Sequence, residues 1–336
     1  MESINENATM ETLTSNSNLT SSDEEEPVIV SVPGLMILTA ISLALSVSNI
    51  LLLSAIVVNR NLHTIANYFY GSLTVAGLFI STVTMPVITW SLSPFLKSRS
   101  YWSCMTMATL QIVGLLSFVL NMLITSFNKY YQLFYPFRYN KFMTTRKTLV
   151  ICIVTWTIAF AVSSAPLLGW NNIALKRRPS GCLIKQVATL EYLCISIYGI
   201  LFPCTAGITF FNSRIVYMAK IEAEKIRSQK AAVCRNERPD FRTGRKSTIA
   251  LLIMLGILLS GWLPFLILLQ VAGLCQHCIK DSSTLVAGLF ALASTATGPL
   301  TYGFRQEEYR TTIRLILARV FCPRAPSADQ RRATSV

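Results

Sequence analysis

Apolar residues fall along this chain in seven long blocks separated by short polar stretches. The blocks cover roughly 33–58, 65–90, 102–127, 148–169, 192–218, 247–272 and 283–303. A helix crosses the hydrocarbon core of a bilayer in about 20 apolar residues. Each block meets that length, so the pattern predicts an all-α fold: a bundle of seven transmembrane helices. An eighth segment, Arg305 to Val320, is patterned differently. Tyr309, Ile313, Ile316 and Val320 recur there at helical spacing among charges. That is the pattern of a short amphipathic helix lying along a membrane face. The chain thus divides into a disordered polar tail (1–32), the bundle (33–303), the amphipathic helix (304–322) and a second disordered tail (323–336).

Charge orients the bundle. The first 32 residues hold seven acids and no base, and the first basic residue is Arg60. With the N-terminus outside, 23 of the 30 Lys and Arg residues fall in loops and tail on the cytoplasmic side. Positive charge gathers on that side in membrane proteins, and seven spans then leave the C-terminus inside. The net charge of +14 therefore reflects topology and contact with anionic membrane lipids, not nucleic-acid binding. The first block follows no basic segment, so it reads as a span rather than a cleaved signal.

This topology sorts the small motifs. Asn7-Ala8-Thr9 and Asn18-Leu19-Thr20 are glycosylation sequons in the outer tail, so Asn7 and Asn18 are expected to carry glycans. Cys275-Gln276-His277-Cys278 lies in an outer loop without a second such pair, which favours a local disulfide over a redox or metal site. With two histidines in the chain, no metal centre is expected, and no cofactor.

Acidic residues are absent where ion chemistry would need them. No Asp or Glu occurs between Pro27 and Leu190, and none lies inside any block. Proton relays and ion-coupled transport use intramembrane ionisable groups. No nucleophile–His–acid set exists either, so the chain does not read as an enzyme.

The stretch Cys104–Tyr139, CMTMATLQIVGLLSFVLNMLITSFNKYYQLFYPFRY, resembles the third helix of rhodopsin-like G-protein-coupled receptors. That helix opens at a disulfide cysteine and closes on an acidic-Arg-Tyr triplet, which here is Asn128-Lys129-Tyr130. The resemblance extends over 33–322. Ser48-Asn49 resembles the Gly-Asn pair of the first helix. NYFYGSLTVAGLFISTVTMP resembles the second helix, with Gly77 where the family has Asp. Trp156 and Pro203 stand at the expected places in the fourth and fifth. Gly261-Trp262-Leu263-Pro264 resembles Cys-Trp-x-Pro. Gly298-Pro299-Leu300-Thr301-Tyr302 resembles Asn-Pro-x-x-Tyr with its Asn replaced. PFRYNKF, LLGWNN and CQHC look most like adenosine receptors, and ITSFNKY to PFRY and WLPFLI like neighbouring lipid-sensing receptors.

The resemblance implies a Cys104–Cys182 disulfide, an Asn121–Trp156 hydrogen bond, and a ligand pocket of Gln111, Leu115, Trp262, Phe265, Leu266, Leu269, Gly288 and Leu292. Gln111 takes the place of the Asp that pairs with amine ligands, and Leu269 replaces the Asn that holds a purine. An uncharged, lipid-like ligand fits these changes better than an amine or adenosine. The alternative is that these apolar residues only pack. A buried cation site would lack its Asp (Gly77), its Asn (Gly298) and a polar residue at Phe118. A heterotrimeric G protein would meet Lys129, Tyr130, Phe137, Pro299 and Tyr302. Asn128 cannot form the restraining ion pair, so weak coupling is expected. Cys322 is a candidate palmitoylation site. Thr334 and Val336 form a terminal pattern read by PDZ domains, although two positions match by chance often. Three functions stay open: a plasma-membrane receptor for an apolar ligand, a signalling-impaired scaffold acting through dimers or heteromers, and an adenosine-like nucleoside receptor.

Overall fold

The computed structural model describes residues 31–93, 100–171, 188–232, 256–257, 259–272, 275, 278–279, 281–295 and 307–321. Asn7, Asn18, Cys182, Pro299, Tyr302, Cys322, Thr334 and Val336 lie outside them. The described chain is helical almost throughout, joined to a single isolated bridge between Asn171 and Ala188. The first five spans are Val32–Val58, Ile65–Ser91, Tyr101–Phe134, Thr145–Ser164 and Leu190–Met218. The sixth is represented by Leu259–Ala272 and the seventh by Asp281–Thr295. A 3₁₀ turn, Arg60–Leu62, links the first two. A short helix, Pro136–Phe142, follows the third. Glu307–Phe321 forms the amphipathic helix.

The third span is the axis of the bundle. Its most apolar window is 67% buried, against 28–44% for the other four long spans. It packs on the second, fourth and fifth spans. Small side chains allow that approach: an added Cβ at Gly114 would strike Thr84 of the second span. The sixth and seventh spans meet the same way. A Cβ on Gly261 would lie 3.0 Å from the Phe290 carbonyl and closer still to Ser294. With lipid on all sides, such close backbone approach supplies dispersion contact that the hydrophobic effect cannot.

Hydroxyl caps start three spans. Thr64 accepts from the Asn67 amide, Thr144 from Lys147 and Thr189 from Tyr192, each satisfying an orphan donor of a first turn. Prolines shape the helices further in. The second span widens to a π-helix over Ile80–Thr84 and the fifth over Ile195–Leu201. Each π segment ends two residues before a proline, Pro86 and Pro203. The Met85 amide reaches the Ile80 carbonyl, and the Phe202 amide reaches that of Ile197. Five-residue bonding rephases the ladder ahead of a residue that cannot donate. The fourth span stops at Ser164, short of the expected 169. Pro166 resists continuation, and Gly169 turns the chain at φ +114°.

Helix Glu307–Phe321 packs on the first span. Tyr309 is fully buried, and Ile313 and Ile316 are half-buried, as the stripe predicted. Thr312 joins them: its hydroxyl accepts from Asn59 Nδ2 at 2.8 Å and donates to the Glu308 carbonyl. Burial pushes the Tyr309 phenol up, with Tyr70 and Glu308 adding to the shift. Thr312→Val keeps the shape and removes the Asn59 bond. It is expected to cost about 1 kcal/mol, read as faster amide hydrogen exchange confined to 307–321.

Candidate functional site

The end of the bundle that carries the Lys- and Arg-rich loops holds an aromatic cluster. Tyr130 of the third span lies 5.2 Å from the Phe211 ring and 4.5 Å from the Phe134 ring, centroid to centroid. Phe211 also meets Phe127 edge-on at 5.4 Å. The cations here face rings. Lys129 Nζ stands 5.7 Å from the Tyr70 centroid and donates to Gln132 Oε1 at 3.3 Å. The Arg214 guanidinium lies over Phe134 at 5.6 Å. Lys147 Nζ sits 4.0 Å from the Phe142 centroid and donates to its carbonyl at 3.0 Å. Each such contact is worth about 0.5–2 kcal/mol. Ring faces thereby supply the negative potential that this acid-free stretch cannot.

Asn128 is fully buried. Its Oδ1 accepts from the Tyr139 hydroxyl at 3.0 Å, while its Nδ2 has no hydrogen-bond partner. Tyr139 belongs to helix Pro136–Phe142, so this bond docks that helix onto the third span. Burial raises the Tyr139 phenol, and the Asn128 contact partly opposes the shift. With Tyr139 held inward, Phe137 stands out, 93% exposed. On the other flank, Asn212 Nδ2 donates to Ser126 Oγ at 2.9 Å and ties the fifth span to the third. Lys129, Tyr130 and Asn128 therefore surround one junction, with Phe137 projecting from the helix it anchors.

Midway along the bundle, Trp262 is buried and stacks on Phe118, with centroids 4.4 Å apart and rings inclined by 20°. Phe265 meets Trp262 edge-on at 6.0 Å. The Phe265 ring also covers Gly288, where an added Cβ would sit 3.2 Å from it. Leu115, Leu266 and Leu292 pack in the same apolar cluster. Gln111 is buried one turn from Leu115, and Leu269 is half-buried. The Trp262 indole N–H has no partner. Trp262, Phe265 and Gly288 thus meet directly, and Leu115, Leu266 and Leu292 belong to the main apolar cluster of the bundle. Phe118 is the third-span member that stacks on Trp262.

A hydrogen-bonded core crosses the second, third and fourth spans. Trp156 Nε1 donates to Ser72 Oγ at 3.1 Å, and Ser72 donates to Asn121 Oδ1 at 2.6 Å. The expected Asn121–Trp156 bond is therefore relayed through Ser72. Its hydroxyl, which can donate and accept at once, was the one sequence signal for this. Asn49 of the first span covers Gly77 of the second, its Oδ1 2.9 Å from where a Cβ would be. The amide of Asn49 donates back to the Leu45 carbonyl.

At the opposite end, Cys104 is buried and disulfide-bonded, and Cys182, its expected partner, lies outside the described residues. Cys275 and Cys278 form a disulfide with Cα atoms 5.3 Å apart, as the spacing predicted. The Tyr198 hydroxyl donates to the Gln270 carbonyl at 2.8 Å and joins the fifth and sixth spans.

Comparison with known proteins accords with this architecture. The chain is 23% identical to adenosine receptor A2b of Gallus gallus over 309 residues, covering 85% of this chain and 88% of that one. It is 25% identical to adenosine receptor A2a of Homo sapiens, covering 83% and 70%. With dopamine receptor 1 of Drosophila melanogaster it shares 24% identity, covering 88% and 64%. The family profile described as 7 transmembrane receptor (rhodopsin family) matches residues 48–302, from within the first span to the seventh, and the chain belongs to that family.

Proposed function

We propose that this receptor answers an uncharged, lipid-like ligand and couples weakly to its G protein. The coarser frame follows from the family: a multi-pass plasma-membrane receptor, not an enzyme, with heterotrimeric G proteins as its partners. The observation that carries the ligand class is the apolar cluster around Trp262, with buried Gln111 nearby and no carboxylate in any span beyond Glu191 and Asp281 at the outer ends of the fifth and seventh. A buried ammonium there would meet no counter-charge, and an unpaired charge in such a site is costly. A neutral molecule with a hydrogen-bond acceptor meets instead the unpartnered Trp262 N–H. Adenosine, which the relatives' names mention, is the competing ligand, and Leu269 offers its base no hydrogen bond.

In this reading the basic end faces the cytoplasm. The G protein meets Lys129, Tyr130 and exposed Phe137, with Pro299 and Tyr302 below the seventh span. The glycans of Asn7 and Asn18 lie outside, and a palmitate on Cys322 holds the amphipathic helix at the inner leaflet. A PDZ domain reading Thr334 and Val336 sets surface retention. Neutral Asn128 also favours a second reading, a scaffold that signals little by itself and works through a receptor dimer. Nucleotide exchange on purified G protein separates the two. A neutral fraction of plasma-membrane lipid extract is expected to raise exchange, while adenosine and cationic amines do not. Equal inactivity of all three in the wild type favours the scaffold. Activation by adenosine would sink the lipid-like assignment.

A further inference from the structure

The sixth and seventh spans leave an outward-facing groove of about 510 Å³, walled by Ser260, Gly261 and Pro264 on one side and Ser283, Ala287 and Phe290 on the other. The geometry points to a second binding site here, for a neutral bilayer amphiphile that carries a hydroxyl or amide hydrogen-bond donor.

The chemistry of the floor selects that occupant. Pro264 has no amide hydrogen, so the Ser260 carbonyl loses the donor that an α-helix supplies four residues on. The second and fifth spans meet their prolines with π segments, whereas Leu259–Ala272 stays α-helical through Pro264. The Ser260 hydroxyl does not answer the carbonyl either, because it donates to the Ile257 carbonyl at 2.8 Å. Ser260 and Pro264 both line the groove, so the carbonyl that lost its donor belongs to the groove's wall. Hydrocarbon offers no water to meet it, and a donor on a lipid complements it. An anionic headgroup brings a charge that is costly to bury, and a plain acyl chain leaves the carbonyl unmet.

Shape and position agree with this. The volume lies within the range of ligand sites, about 300–1,000 Å³. From Ser283 to Phe290 the seventh-span wall runs about 10 Å. Phe290 is 71% exposed, so the groove opens to the bilayer and fills laterally. Its back wall is the tight Gly261–Ser294 contact, and Trp262 follows Gly261 in the chain. An occupant thus abuts the same turn that positions the Trp262 layer. The site stands independently of the proposed ligand pocket and of any G-protein coupling.

The test uses the full-length receptor in nanodiscs and two diazirine probes with one acyl chain, a monoacylglycerol and the corresponding methyl ester. Labelling of the peptides spanning 257–272 and 281–295 is expected to favour the monoacylglycerol by about tenfold, one hydrogen bond's worth. Ala287→Trp fills the groove and should abolish that labelling. Pro264→Ala restores the missing amide and should bring the two probes level while the ester still labels. Each variant is scored only where its thermal unfolding remains cooperative, and either alone suffices. Equal labelling of the wild type by both probes overturns the inference. So does labelling indifferent to Ala287→Trp, or labelling that falls as receptor density rises, which marks a second copy of this chain in the groove. Since the readout is covalent labelling, a receptor that fails to signal leaves the result intact.

Discussion

Phe118→Ser is expected to raise basal G-protein exchange by about tenfold over wild type. The sixth span can pivot at Pro264, and what fixes its middle to the third span is the Phe118–Trp262 stack. An offset aromatic pair contributes about 0.5–1.5 kcal/mol beyond its buried area. Serine also removes apolar contact in a packed layer, which adds to the loss. A shift of about 1.4 kcal/mol between two states is a tenfold change in their ratio. Asn128, being neutral, forms no restraining ion pair at the basic end, and its Oδ1 accepts from Tyr139. Phe118→Leu separates the stack from mere filling: it keeps most of the volume and loses the ring, and its basal exchange should fall between wild type and serine. Equal basal exchange in all three, at matched surface expression, would discard the idea that this stack restrains the receptor.

The second large effect concerns the triplet Asn128-Lys129-Tyr130. Replacing the first two together, Asn128→Asp with Lys129→Arg, should raise stimulated exchange several-fold. Lys129 points to the Tyr70 ring and Gln132, a point charge on a flexible stem. Arg carries a planar five-donor fork that stacks and bonds bidentately. Asp at 128 would retain the Tyr139 bond as a charge-assisted one, worth about 1.5–3 kcal/mol, and would give the arginine a partner at rest. The single Asn128→Asp should do less than the pair, since it buries a carboxylate while the neighbouring Lys129 still faces Tyr70 and Gln132. A robust wild-type response that the double change leaves where it was would remove the claim of weak coupling.

Much of this architecture was legible in the sequence because hydrocarbon thickness writes itself into block length. The first three span starts, the Cys275–Cys278 disulfide and the buried stripe of Tyr309 and Ile313 all follow from period and spacing. What escaped was decided across helices. Ser72 showed only a hydroxyl that can donate and accept at once, and nothing in the sequence said that it joins Trp156 to Asn121. Tyr139 stood in the sequence only as the last residue of the stretch that resembles the third helix, yet its hydroxyl comes back over eleven residues to Asn128. The π segments escaped because proline announces a missing donor and not how the preceding turns accommodate it. The pocket residues were named from the family resemblance, at positions along the third, sixth and seventh spans. Their packing was not legible, because Phe118 fills space only once its ring meets Trp262.

The covering of Gly77 by Asn49 and the filling of the layer by Phe118 have an electrical consequence. A receptor that buries a carboxylate and its counter-ion moves charge through the transmembrane field when its helices shift, and each elementary charge is worth about 2.3 kcal/mol per 100 mV. Here the interior offers amides, hydroxyls and rings, and the acids lie in tails, loops and the outer ends of the fifth and seventh spans. Rearrangement of this bundle displaces almost no charge along the membrane normal. Its activity should therefore be the same in a resting and a depolarised cell, a constancy that a receptor with a charged core does not share.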